Sequence, residues 1–265
     1  MSDHPIAARW RAVRSEGRAA LIPYLTAGYP TPMLSLQALR LTEEAGADFV
    51  EVGVPFSDPL ADGPTIQRAS QTALELGMNV VRVLEQIREA ALGIPVVVMS
   101  YLNPVLAYGL DRFVADAGAA GAVGLLLTDL PAGVDVGVER AVAASPLALI
   151  RLVAPTTTGA RLARALSEAS GFVYLISRLG VTGARDQVPA DLGDQVARVR
   201  AVTPLPIAVG FGISTADQAA AAARLADGVV VGSAVVEALG TGGLGAAERL
   251  LRALVAAVRS GGNAA

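Results

Sequence analysis

The sequence contains no cysteine and no lysine, and its only histidine, His4, lies near the start of the chain. The lack of cysteine excludes a disulfide framework, a thiolate nucleophile and a cysteine metal site. All 21 basic residues are arginine, whose guanidinium stays protonated, so no side-chain amine can form a Schiff base. A single histidine also excludes a histidine zinc cluster. Proton transfer by this chain must therefore fall to aspartate, glutamate or tyrosine.

The chain also lacks an apolar run long enough to span a bilayer and an apolar signal region, which indicates a cytoplasmic protein. Its formal net charge is −3, so nothing points to nucleic acid or to an anionic membrane surface as a partner. Residues 5–16 are polar and arginine-rich, with apolar side chains at Ile6, Trp10 and Val13. We expect a short amphipathic helix here rather than a transit peptide, because the segment is flanked by acidic residues.

Short apolar runs alternate with helical patterns along the whole chain, which is typical of parallel strands joined by right-handed crossovers. Strands are predicted at residues 21–25, 48–54, 95–101, 123–128, 148–153, 172–177, 206–210 and 228–231. Helices are predicted at residues 33–45, 80–91, 110–120, 134–143, 160–169, 191–202, 215–225, 235–239 and 244–258.

Eight βα units without a linker between halves favour an α/β fold of one domain, a (β/α)₈ TIM barrel over residues 1–265. The additions to this barrel are an N-terminal helix within residues 1–17, the short helix 235–239 after strand eight and a frayed tail at 260–265. A doubly wound open sheet is the alternative architecture.

Glu51 lies in the second predicted strand, where the period of two places Phe49, Glu51 and Gly53 on one face. The other face carries only valines and suits packing against outer helices, so Glu51 is expected to point into the barrel. An unpaired buried carboxylate is costly, and such groups cluster at functional sites. A structural glutamate tied to a backbone or arginine partner is the alternative.

The loop at residues 56–65 follows this strand and contains Asp58 and Asp62. Active sites of (β/α)₈ barrels lie at the carboxyl ends of the strands and in the loops that follow. A loop of this length is often functional, although Asp-Pro and Asp-Gly are also common in solvated turns. The position of the loop favours a functional role for its acids.

Glycines follow three consecutive predicted strands: Gly180 and Gly183, then Gly210 and Gly212, then Gly232 with Ser233. Glycine lets the backbone approach a ligand closely and turn its N–H groups inward. Barrels often bind phosphate after strands seven and eight, at the N-terminus of a short helix such as 235–239. The pattern predicts a small phosphorylated substrate.

Residues 51–67, with the sequence EVGVPFSDPLADGPTIQ, resemble the signature of the tryptophan synthase α subunit family. Residues 174–183 (YLISRLGVTG) and 210–214 (GFGIS) resemble it too, and the likeness runs from about residue 21 to 239. The resemblance implies aldol-type cleavage of indole-3-glycerol phosphate to indole and glyceraldehyde 3-phosphate, in tryptophan biosynthesis. This reaction needs no lysine imine or metal, because indole holds electrons once its C3 is protonated.

The resemblance assigns roles by position. It implies that Glu51 is the general acid/base, that Asp62 accepts the indole N–H and that Tyr174 stands beside the glutamate. Thr182 matches a hydroxyl that bonds the aspartate when the loops close. The residues that match the phosphate cradle are Gly183, Gly212, Gly232 and Ser233, and those that match the indole pocket are Tyr24, Ile66, Met99, Leu126 and Phe211. Tyr24 and Met99 replace the more familiar Phe and Leu but keep an apolar body.

The resemblance also implies a β subunit on the catalytic face, in an α₂β₂ assembly, with Asp58, Pro59, Asn103 and Pro104 at the contact. Pyridoxal phosphate is expected in that partner, and no cofactor or metal is expected in this chain. The loops 56–65 and 178–188 are expected to become ordered when substrate and partner bind.

Two other functions stay open at this point. A sugar-phosphate isomerase or epimerase of the same fold would explain the glycines but not the loop 56–65. A non-catalytic barrel that activates a partner is disfavoured by the intact pair Glu51 and Asp62.

Overall fold

The computed structural model describes residues 4–176, 189–210 and 212–261. Eight parallel strands form a closed barrel in chain order, and β1 pairs with β8 to complete it. The strands are β1 Ala20–Thr26, β2 Val50–Gly53, β3 Val96–Ser100, β4 Ala122–Leu127, β5 Ala148–Val153, β6 Val173–Ile176, β7 Ile207–Gly210 and β8 Gly228–Val231. The predicted (β/α)₈ barrel is confirmed, and closure excludes the open doubly wound sheet.

The helices of the described residues surround this barrel. They are α1 Pro5–Ser15, α2 Pro32–Glu44, α3 Pro64–Glu75, α4 Val80–Ala90, α5 Leu102–Tyr108, α6 Leu110–Ala120, α7 Val136–Ala143, α8 Gly159–Leu166, α9 Leu192–Arg200, α10 Ala216–Ala223 and α11 Ser233–Ser260. None of these helices is long and apolar enough to cross a lipid bilayer.

Two helices, α3 and α5, are absent from the sequence prediction. Each has a proline in its first turn, Pro64 in α3 and Pro104 in α5, and proline suggests a loop in sequence. The first turn of a helix tolerates proline because its N–H groups have no partner within the helix. The predicted loop 56–65 therefore ends at Gly63, and Thr65 belongs to α3.

Alternate residues of each strand face two different hydrophobic layers. Val50 and Val52 pack with the outer helices, as the alternation predicts, whereas Phe49 lies inside the barrel. The helix α1 closes the bottom of the barrel, where the Trp10 ring lies 4.9 Å from Phe49 and 5.7 Å from Phe172. A Cβ added to Gly228 of β8 would come within 2.7 Å of the Trp10 ring, so glycine makes room for this floor.

The last helix, α11, is divided by a kink at Gly243, which has φ 64° and ψ −164°. The short helix predicted after strand eight at 235–239 is therefore longer, because it begins at Ser233 and extends to the kink. The helix as a whole packs against β1, α2 and α10 and ends at Ser260, the first residue of the predicted tail. Residues 262–265 of that tail lie outside the described residues.

Candidate active site

A cavity of about 240 Å³ lies at the carboxyl ends of the strands. The predicted site residues that line it are Tyr24, Glu51, Asp62, Ile66, Met99, Tyr174, Gly212, Gly232 and Ser233. Leu126 is fully buried inside the barrel, beside Met99 in the strand register, and is not among the lining residues. Thr182, Gly183 and Phe211 lie outside the described residues. The fold thus gathers most of the predicted positions around one space.

Glu51 lies in the middle of β2, with its side chain in the cavity and only 1% of its surface exposed. Neither carboxylate oxygen has a hydrogen-bond partner within the part of the chain that the structure describes. Burial away from water penalises the ionised form and raises the pKa of Glu51 to about 8. Glu51 is therefore protonated near neutral pH and is suited to act as a general acid.

Asp62 occupies the end of the loop that joins β2 to α3. The loop is fixed by two hydrogen bonds: the Asp62 N–H donates to the Pro59 carbonyl at 3.0 Å, and Gln67 Nε2 donates to the Asp62 carbonyl at 2.9 Å. Burial raises the pKa of the Asp62 carboxyl to about 6, and a hydrogen bond from the Tyr101 hydroxyl opposes this shift. Asp62 is therefore mostly ionised near neutrality, where Glu51 is still protonated. Such a separation assigns different roles to two acids of one site.

Two tyrosines form the walls on either side of Glu51. Tyr24 of β1 is opposite Glu51 in the strand register, and its hydroxyl occupies the space that a Cβ on Gly53 would need. Tyr174 of β6 covers Gly210 of β7 in the same way. Burial is the largest cause that raises the pKa of both phenols, so each stays protonated and presents an O–H at neutral pH.

The opposite end of the cavity contains two glycines and a helix N-terminus. Gly212 has φ +83°, and a Cβ built on it would meet no described atom within 4 Å. Gly232 is the N-cap of α11 and Ser233 is its first residue, and no side chain of the described part caps this terminus. The first N–H groups of a helix attract anions because they lack partners and carry the positive end of the helix dipole. This end of the cavity is suited to hold a phosphate group.

Sequence reasoning missed two polar side chains at this site. Tyr101 directly follows β3 and bonds the loop that carries Asp62. Glu237 lines the cavity one helical turn after Ser233. The position of Tyr101 at the carboxyl end of a strand was a usable signal, and so was the spacing of four between Ser233 and Glu237.

The family model described as tryptophan synthase alpha chain matches residues 10–260. A tryptophan synthase alpha chain of Gluconacetobacter diazotrophicus is 49% identical over 237 residues, covering 88% of this chain and 86% of that protein. One of Chloroflexus aggregans is 46% identical over 230 residues, covering 86% of each.

Solved structures give the same match. A chain in a structure of Mycobacterium tuberculosis tryptophan synthase superposes with a TM-score of 0.90 at 43% identity, covering 97% of this chain and 99% of that one. The tryptophan synthase subunit alpha of Legionella pneumophila superposes with a TM-score of 0.90 at 34% identity, covering 98% of this chain and 100% of that one.

Proposed function

Because this chain belongs to the tryptophan synthase alpha chain family, we propose that its cavity cleaves indole-3-glycerol phosphate to indole and glyceraldehyde 3-phosphate. The observation that carries this proposal is that Glu51 and Asp62 line one cavity, where burial raises the pKa of Glu51 further than that of Asp62. A helix N-terminus at the other end suits the phosphate of the same substrate.

The substrate is held at three places in this proposal. The N–H groups around Gly212 and Ser233 bind the phosphate, because they point their partial positive charge at a dianion. The indole ring lies among Tyr24, Ile66 and Met99, whose surfaces are largely apolar. This placement brings the indole C3 to Glu51 and the indole N–H to Asp62.

Three protons then move, and no other group is consumed. Glu51 gives its proton to the indole C3, and Asp62 stabilises the positive charge that develops on the ring by accepting the N–H proton. The glycerol hydroxyl next to C3 returns a proton to Glu51 as its oxygen becomes the aldehyde. The electron pair of the breaking carbon–carbon bond restores the aromatic ring, which regains its N–H proton from Asp62.

The direct test is cleavage of indole-3-glycerol phosphate by the purified chain and by Glu51→Gln. Losing acid/base catalysis typically costs ~10²–10⁴-fold, so the variant should fall by at least that lower factor. The kcat/KM profile should be bell-shaped, since Asp62 loses its charge below pH about 6 and Glu51 loses its proton above pH about 8. A variant with more than about a tenth of the wild-type rate contradicts the role of Glu51. A wild-type chain without any cleavage favours the non-catalytic activating subunit.

The same proposal includes a β subunit on the catalytic face, in an α₂β₂ assembly, as the carrier of pyridoxal phosphate. Asp58 and Asn103 are exposed on this face, and the neighbouring Leu60 is an apolar side chain that is 83% exposed. Exposed apolar residues beside polar ones are typical of protein contacts. This arrangement supports a contact that includes Pro59 and Pro104.

The partner should accelerate the chain by favouring the catalytic position of the predicted loop, which spans residues 56–63 in the structure. Hydrogen exchange of these residues, measured with and without the β subunit, checks this expectation. Equal exchange together with equal kcat contradicts activation through the loop but leaves the catalytic assignment intact. The predicted second loop, 178–188, lies outside the described residues.

A further inference from the structure

Tyr101 contacts the loop after β2 at both of its ends. It directly follows β3 and is only 5% exposed. Its ring lies 5.2 Å from that of Phe56 at the start of the loop, and its hydroxyl accepts the Ala61 N–H at 2.9 Å near the end. The next residue along the loop is Asp62, and donation from the Tyr101 hydroxyl lowers the pKa of its carboxyl. One side chain therefore fixes the path of the loop from its start to the residue before its acid.

The hydroxyl has a defined hydrogen-bond direction at this position. Because the Ala61 N–H donates to the phenol oxygen, the phenol proton is free to point at Asp62. A donor beside a carboxylate favours its ionised form over its protonated form. Within the described residues, Tyr101 is the group whose hydrogen bond lowers the pKa of Asp62. Removing only the hydroxyl should therefore change the ionisation of Asp62 without emptying the space that the ring fills.

Tyr101 is also the N-cap of α5, which connects it to a different surface. The start of α5 is fixed by the Leu102 N–H, which donates to the Asp129 carboxylate at 2.7 Å. Asn103 and Pro104 follow immediately in α5, outside the cavity. A shift of α5 displaces the Tyr101 backbone, since only one peptide bond separates this residue from the helix, and it thereby disturbs the contacts of the Tyr101 hydroxyl.

We propose that Tyr101 is a positioning residue that fixes the loop carrying Asp62, directs its hydroxyl toward that carboxyl group and couples both to the position of α5. The proposal rests on the proposed cleavage function for its consequence in catalysis. Its structural part, the dependence of Asp62 on the Tyr101 hydroxyl and on α5, can be measured without any substrate.

The test is Tyr101→Phe, with Tyr108→Phe as the matched control. Tyr108 is the last residue of α5, and its hydroxyl donates to Asp116 at 2.6 Å, outside the cavity. Losing a hydrogen bond to a charged group typically changes a rate or equilibrium constant roughly ten- to hundredfold. The kcat of Tyr101→Phe should therefore fall by that factor while KM changes little. The acidic limb of its pH profile should move to higher pH, because Asp62 loses a donor that favours its charge. Tyr108→Phe should match the wild type in both respects.

A second substitution tests the coupling to α5. Asp129→Ala releases the Leu102 N–H at the start of α5, and Asp129 is exposed and does not line the cavity. The acidic limb should move in the same direction as in Tyr101→Phe, by a smaller amount. If the acidic limb of the pH profile lies at the same pH in Asp129→Ala as in the wild type, the coupling to α5 is overturned.

A measurement without substrate separates this inference from the proposed function. The titration of Asp62, followed by carbon NMR of the aspartate-labelled chain, should move to higher pH in Tyr101→Phe and stay in place in Tyr108→Phe. The inference fails if the Asp62 titration is the same in Tyr101→Phe and the wild type, or if Tyr108→Phe moves it equally. If the wild type titrates as expected but does not cleave indole-3-glycerol phosphate, the proposed function fails while the inference about Asp62 stands.

Discussion

Replacing Glu51 by glutamine should make the protein more stable at the same time as it removes activity. Glutamine has nearly the shape of a protonated glutamate but cannot ionise. In the wild type the ionised form of Glu51 is disfavoured, because its oxygens are buried and have no hydrogen-bond partner among the described residues. The unfolded chain ionises freely above its ordinary pKa of 4.5, whereas the folded chain ionises only near 8. The folded wild type therefore loses free energy of unfolding above pH about 4.5, and the variant does not.

The size of this cost depends on pH in a defined direction. Below pH about 4.5 both states are protonated, so the wild type and Glu51→Gln should be equally stable. The cost grows as the pH rises from about 4.5 to about 8 and is constant above that, because both states are then ionised. By linkage, the variant should be more stable by roughly 1 kcal/mol near pH 5 and by roughly 4 kcal/mol near pH 8.

Guanidinium unfolding of both proteins at these two pH values measures the difference directly. The free energies of unfolding of the wild type and Glu51→Gln should diverge with rising pH. Glu89→Gln is a suitable control, since Glu89 is an exposed glutamate and should show no such divergence. A gap that stays constant between the two pH values, or a variant that is less stable near pH 8, refutes the reasoning about a buried unpaired acid.

Three further changes test other parts of the structure. Asp62→Asn should lower kcat by about 10²-fold, since an amide cannot accept the indole proton, and near-normal kcat would assign Asp62 to loop structure instead. Gly212→Val should weaken the binding of glycerol phosphate in a calorimetric titration, because φ +83° disfavours a side chain and its Cβ would enter the open space of the cavity; unchanged affinity would remove Gly212 from the phosphate site. Trp10→Ala should cost ~3–5 kcal/mol of unfolding free energy while the folded fraction keeps its kcat, and a loss below ~1 kcal/mol would show that the floor is not a stabilising layer.

The sequence was sufficient to predict the strands and the inward direction of Glu51, because both follow from local periodicity. Apolar runs of the right length mark buried parallel strands, and alternation within β2 separates the valines from Glu51. The helices α3 and α5 escaped prediction because a proline in the first turn has the same local signal as a proline in a loop.

The position of Tyr101 at a strand end could be predicted from the sequence, but its contacts could not. Its contacts with Phe56 and Ala61 join residues about 40 positions apart, and no local pattern specifies such a pair. The pKa values of Glu51 and Asp62 escaped prediction for a related reason, since they depend on how completely the folded chain removes water from each group.

The aromatic floor of the barrel also determines how molecules travel through it. Trp10, Phe49 and Phe172 fill the axis at the bottom, while the cavity lies at the opposite end of the strands. The base of the barrel is therefore closed. A molecule produced in the cavity leaves through the same opening by which its precursor entered. Within the described residues the base offers an apolar product such as indole no exit, so whatever covers the opening controls its escape to the surrounding water. Release of the product therefore depends on the residues around the opening, at the other end of the barrel from the side chains that close the base.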